Sequence, residues 1–241
     1  MVPPSYDRHR ADMIDVNTFV YKVDRFVNFL KWPAATGSAL LLIPLARTFF
    51  DCAVPFWQHK WLGFSFLVGI ALLFVPLLLR GRLSISHFWA TFEHEMTHII
   101  FALLTFHSVH SLHATEGDGG EFRHSGGGNW LITVSPYFFP TVPLLVSLFV
   151  LALPAALFLV GVGAVGFSIA WHLVATIMET HRGQTDLHTV GLAHAAMFLP
   201  GASVFCLGFV LALANRGGEG PGWYWSRLVR NVVSEAQSLI S

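Results

Sequence analysis

The chain has 241 residues, 54% of them hydrophobic and 12% charged, and its formal net charge is zero. A soluble domain of this length carries about twice that charged fraction, so the composition points to an integral membrane protein and gives no support to nucleic-acid binding. The two cysteines, Cys52 and Cys206, lie far apart, which argues against a disulfide framework and against a thiolate zinc site built on close Cys pairs.

The first 31 residues form a polar leader, and the first apolar run begins near Trp32, so a cleavable signal peptide is not expected. Within the leader, Ile14, Phe19, Val23, Phe26, Val27 and Leu30 recur at three- and four-residue steps, with Asp15, Lys22, Asp24 and Arg25 between them. This pattern predicts an amphipathic helix lying on a membrane surface or packed on the bundle.

Apolar runs of spanning length then follow, without the alternation a membrane barrel requires. The expected fold is an all-α polytopic membrane protein with about six transmembrane helices. The first covers residues 33–50, the second 61–79, and the third 84–106. The apolar region 136–178 is too long for one crossing and divides near Pro154 into the fourth and fifth. A polar interruption, Glu179 to His188, precedes the sixth, at 190–214. Residues 32–214 therefore read as one membrane-embedded domain, followed by an amphipathic tail at 215–241. With the N-terminus cytoplasmic, only Arg47, Lys60, Arg123 and Arg182 of the 14 Lys and Arg residues fall outside, which favours both termini inside a bacterial plasma membrane.

Between the third and fourth segments lies a long polar loop. It carries a turn signal, Glu116-Gly117-Asp118-Gly119-Gly120, between two runs able to pair as a small β-hairpin. The run Asn129 to Val134 also has strand propensity. An exposed strand edge could hold an unwound peptide by backbone pairing. His107, His110, His113 and His124 lie in the same loop and read either as a second metal site or as solvated side chains.

The chemistry concentrates in the third segment, at His94-Glu95-Met96-Thr97-His98. On a helix His94 and His98 share one face, one turn apart, so both imidazoles reach one metal ion. Glu95 projects beside the ion as a general base, which is the mechanical content of the HExxH pattern. Ionisable residues at membrane depth are costly, and Glu93, His94, Glu95 and His98 cluster near the middle of one span. Catalytic zinc takes a third protein ligand. Candidates are His172, Glu179, His181, Asp186 and His188. His172 lies level with His94 by residue count, whereas Asp186 requires the polar stretch before the last span to dip inward.

The chain resembles the site-2-type intramembrane zinc metalloproteases, in particular the small bacterial branch without extra soluble domains. The resemblance rests on the motif at 94–98, the glycine loop Gly126-Gly127-Gly128, Ser135-Pro136-Tyr137-Phe138-Phe139-Pro140 at the start of the next helix, and Thr185-Asp186 before the last. It spans roughly Ser84 to Leu213. It implies Zn2+ held by His94, His98 and Asp186, Glu95 as catalytic base, and a membrane-protein substrate cleaved in or near a transmembrane segment. The chain departs from better-known members, whose third ligand lies in Asn-x-x-Pro and Leu-Asp-Gly surroundings; here the aspartate sits in Gln-Thr-Asp-Leu. A membrane metal transporter or sensor, and a silent homologue acting as a binding protein, are the alternatives. Ionisable residues gathered at one depth, with Glu95 intact, fit them less well.

Overall fold

The computed structural model describes residues 18–80, 87–115, 119–180 and 185–240. Outside them lie the start of the N-terminal segment, Ser84, the tip of the Glu116–Gly120 turn, and residues 181–184 with His181.

The first described element is helix α1 (residues 18–29), which runs through a turn at Leu30 into α2 (Lys31–Leu40). Helix α3 (Leu42–Gln58) is bent by 60° from this pair. Pro44, in the first turn of α3, has no N–H to continue the ladder back to Leu40, so the helix breaks there. Helix α4 (Lys60–Arg80) leads to α5 (His87–Leu104), which carries the histidine motif. Phe106 takes left-handed backbone, φ 65°, and the His107 N–H returns to the Ala102 carbonyl at 2.8 Å, closing α5.

The expected hairpin is present: β1 (Val109–Thr115) pairs antiparallel with β2 (Gly119–His124). The expected strand at Asn129 to Val134 is absent, and those residues form the short helix α6 (Trp130–Val134). Asn129 caps it by accepting the Ile132 N–H at 3.2 Å, and the Trp130 indole N–H reaches the Val27 carbonyl at 2.6 Å. A cap and a tertiary anchor override the β-propensity of Ile132, Thr133 and Val134.

A 3-10 turn, Ser135–Tyr137, joins α6 to α7 (Thr141–Leu151) across a 71° bend. Pro154 separates α7 from α8 (Phe158–Glu179), as expected. Next come α9 (Thr185–Val190) and α10 (Leu192–Arg216), divided at Gly191, whose φ of 91° suits a residue without Cβ. Asp186 therefore sits in the first turn of a separate short helix, not at the start of the last apolar one. Helix α11 (Gly220–Ile240) folds back on α10 and α3. Its Tyr224 donates to the Phe205 carbonyl at 2.8 Å, and Arg227 forks onto both oxygens of Asp51 at 2.6 and 3.0 Å.

Close packing relies on small residues. Helices α4 and α8 run side by side in the same direction, with Gly69 on the Gly163 carbonyl and Gly166 on that of Phe66. The Ser65 hydroxyl donates to the Leu159 carbonyl in the same seam. Helix pairs that meet in this way exclude even a methyl group. Helices α2 and α3 follow α10 in parallel, through Ser38 to the Phe198 carbonyl at 2.7 Å and Asn215 to the Cys52 carbonyl at 2.6 Å.

By length and apolar composition, two stretches among the described residues can cross a membrane: Ala155–Glu179, which contains α8, and Leu192–Ile240, whose more apolar part is α10. Counting each bent pair as one span gives up to four among the described residues, which accounts for part of the expected six. The site helix is not among them, because Glu93, His94, Glu95 and His98 lower its hydropathy. The Asp24 carboxylate of α1 meets His107 at 3.1 Å and Asn129 at 2.8 Å. The N-terminal helix and the 107–134 loop thus meet at one end of the bundle.

Gly69→Val should therefore lower stability by about 1–3 kcal/mol or more through overpacking, read as the thermal midpoint of helix loss by circular dichroism in detergent. Gly37→Ala, where a Cβ meets nothing within 4 Å, should leave it unchanged. Equal midpoints for both variants would contradict the tight α4–α8 crossing.

Candidate metal centre

Helix α5 places His94 and His98 on one face, with ring centroids 4.8 Å apart. Helix α9 brings Asp186 to them. Its Oδ2 lies 3.4 Å from His94 Nε2 and 3.3 Å from His98 Nε2. One ligand atom from each of these three residues lies within 4.8 Å of the others, and among the described residues this is the one group of its kind. Both histidines are buried, and Asp186 is partly covered.

The donor chemistry fits a cation. His98 Nδ1 lies 2.8 Å from the Ile132 carbonyl. A carbonyl only accepts, so Nδ1 carries the proton and Nε2 of the neutral ring presents a lone pair to Asp186. An imidazole lone pair facing a carboxylate oxygen repels it unless a proton or a metal ion lies between. The 3.3–3.4 Å separations match the edge of a tetrahedron with metal–ligand bonds of about 2.0–2.1 Å.

The remaining residues proposed from sequence separate cleanly. Glu95 is buried beside the cluster but does not join it, within electrostatic reach of His98, His94, Asp186 and Glu179. His172 is directed elsewhere: its Nδ1 meets Glu93 Oε1 at 3.2 Å. The same carboxylate oxygen accepts the Val142 N–H at 3.3 Å, which ties α5 to α7 and α8. Glu179 accepts from Thr91 at 3.0 Å, and His188 lies on α9 outside the cluster. In the loop, His107 is committed to Asp24, and His124 Nδ1 to the Ser125 carbonyl at 2.9 Å.

Two features escaped the sequence reading. Tyr137 directs its hydroxyl at Asp186 Oδ2, 3.4 Å away, and its ring meets that of His94 edge-on. A hydrogen-bond chain also reaches His98 from the N-terminal helix. Asp24 holds the Asn129 amide, Asn129 caps α6 at Ile132, and the Ile132 carbonyl holds His98. Asn129 ahead of a short apolar run was a legible N-cap signal. Nothing in the sequence pairs Asp24 with it. A cavity of about 10 Å³, with room for about one water, adjoins His94 and is lined by Glu93, Thr97, Tyr137 and Glu179.

Compared with protein-family models, with curated proteins and with solved structures, the chain matches none.

Purified protein should bind one equivalent of Zn2+ by competition with a chromogenic chelator. His94→Ala should abolish stoichiometric binding, Asp186→Ala should weaken it while leaving residual binding by the two histidines, and His172→Ala should leave it unchanged. Affinity should fall as the solution is made acidic, because ligation needs neutral imidazole and ionised carboxylate. Asn129→Ala should cost about 1 kcal/mol of stability through loss of its cap.

Proposed function

We propose that this protein is an intramembrane zinc metalloprotease of the site-2 type, cleaving membrane-protein substrates in or near their transmembrane segments. The observation that carries the reading is the convergence of His94, His98 and Asp186 on one point with Glu95 beside it. This supplies the two histidines and adjacent general base of the HExxH pattern, with a carboxylate placed to act as the third ligand. A His/His/carboxylate set favours zinc among the common divalent ions.

Membrane residence is supported by the outer surface. Leu40, Phe50, Trp57, Leu78, Phe149, Val160 and Ile177 are all exposed. Apolar side chains spread over so many helices suit lipid better than water. In this reading α8, α10 and the bent pairs meet the bilayer. Helix α5 keeps its polar face inside the bundle, where Thr91, Glu93 and Thr97 find partners on α7 and α8.

Zn2+ bound by the three residues would polarise a scissile carbonyl and acidify water. Glu95 then takes a proton from the attacking water and returns it to the departing amine. His98 is held in its ligating tautomer by the Ile132 carbonyl. The cavity beside His94 has room for about one water, so a peptide enters only when part of that wall moves. The β1–β2 hairpin packs on α5 and offers a strand edge for an extended segment.

Glu95→Gln in reconstituted vesicles should retain Zn2+ and lose about 10²–10⁴-fold in cleavage of a membrane-anchored substrate, the span of general acid–base catalysis. Undiminished cleavage by this variant, with wild-type metal content, would rule the mechanism out.

A further inference from the structure

We infer that Tyr137 is a positioning residue for the metal centre, holding Asp186 in ligating orientation through its phenolic hydroxyl. The inference rests on the metal-site reading above and adds a fourth residue to it. Asp186 Oδ2 is a hub, with His94 Nε2 at 3.4 Å, His98 Nε2 at 3.3 Å and Tyr137 Oη at 3.4 Å around one oxygen. The described residues give Asp186 no other hydrogen-bond donor. With a cation at the cluster the imidazole lone pairs would serve the ion, and among the described residues Tyr137 then supplies the hydrogen bond that aims the carboxylate.

That contact matters because α9 is short and separate, packed on the core through Val190 at its far end from Asp186. It spans six residues and is cut from α10 at Gly191. Tyr137, by contrast, is built in. It ends a 3-10 turn in which Ser135 donates to the Ile132 carbonyl at 2.8 Å and receives the Phe139 N–H at 3.0 Å. Ser203 of α10 donates to the Tyr137 carbonyl at 3.5 Å, and the ring is buried edge-on against His94. A built-in donor facing a ligand on a short separate helix is an arrangement by which outer contacts orient metal ligands. Ile132 serves both sides: its carbonyl holds His98 and also receives the Ser135 hydroxyl. The turn that positions Tyr137 is thus the turn that fixes the tautomer of His98.

The test uses full-length wild type, Tyr137→Phe, Asp186→Ala and the double variant, stripped of metal and titrated with Zn2+ against a chelator. Tyr137→Phe should weaken Zn2+ binding about 10–100-fold, the cost of losing an outer hydrogen bond to a ligand. The melting temperature of its metal-free form should match wild type, since the ring and its packing remain. The visible spectrum of bound Co2+ should shift in Tyr137→Phe, reporting a changed ligand orientation. In the Asp186→Ala background the tyrosine substitution should have no further effect on residual metal binding. Wild-type affinity and an unshifted Co2+ spectrum in Tyr137→Phe would overturn the inference, as would an equal loss with Asp186 absent. Should Tyr137→Phe lower the metal-free melting temperature, the double-variant comparison decides between the two roles. A wild-type protein that binds no Zn2+ would defeat the metal-site reading itself, whatever Tyr137 does.

Discussion

Three electron-rich atoms held together in a buried place are unstable unless a positive charge joins them. In this protein those atoms are His94 Nε2, His98 Nε2 and Asp186 Oδ2, 3.3–3.4 Å from the carboxylate oxygen to each ring nitrogen. Much of the surrounding architecture keeps them there. Thr97 shares a hydrogen bond with Thr141, Glu93 spans to His172 and to the Val142 N–H, and Thr91 reaches Glu179. Helix α5 is thereby fastened along its polar face to α7 and α8. Each contact satisfies a group whose burial without a partner would cost several kcal/mol.

The opposite end of the bundle contributes as well. Asp24 and His107 form a buried pair that pins the N-terminal helix to the end of α5. The same carboxylate holds Asn129, whose cap on α6 sets the carbonyl that His98 requires. The N-terminal helix is thus connected to a ligand about seventy residues away in the chain, and the small-residue seams of α4 with α8 and α2 with α10 keep the frame close.

Much of the site was legible because its determinants are local. The spacing of His94 and His98 puts them on one helical face in any helix, and Glu95 follows from the pattern. The break at Pro154 and the amphipathic tail were readable for the same reason. Asp186 was reached by resemblance, with His172 a rival by residue count; the structure gives His172 to Glu93 and brings Asp186 to the histidines. The misread elements depend on distant partners. Residues 130–134 look like a strand until the Asn129 cap and the Val27 anchor are present. Asp24 looks like the polar face of a surface helix until His107 and Asn129 meet it. Of the six expected spans, two to four are long and apolar enough to cross a membrane among the described residues, because two apolar runs contain sharp bends and the motif helix is more polar than the rest.

The central claim is that His94, His98 and Asp186 form one metal site. X-ray absorption at the zinc edge of the loaded, full-length protein tests it most directly. The account predicts a first shell of two imidazole nitrogens and protein oxygen at about 2.0–2.1 Å, with the oxygen contribution reduced in Asp186→Ala. A shell of three imidazoles, unchanged by that substitution, would contradict it.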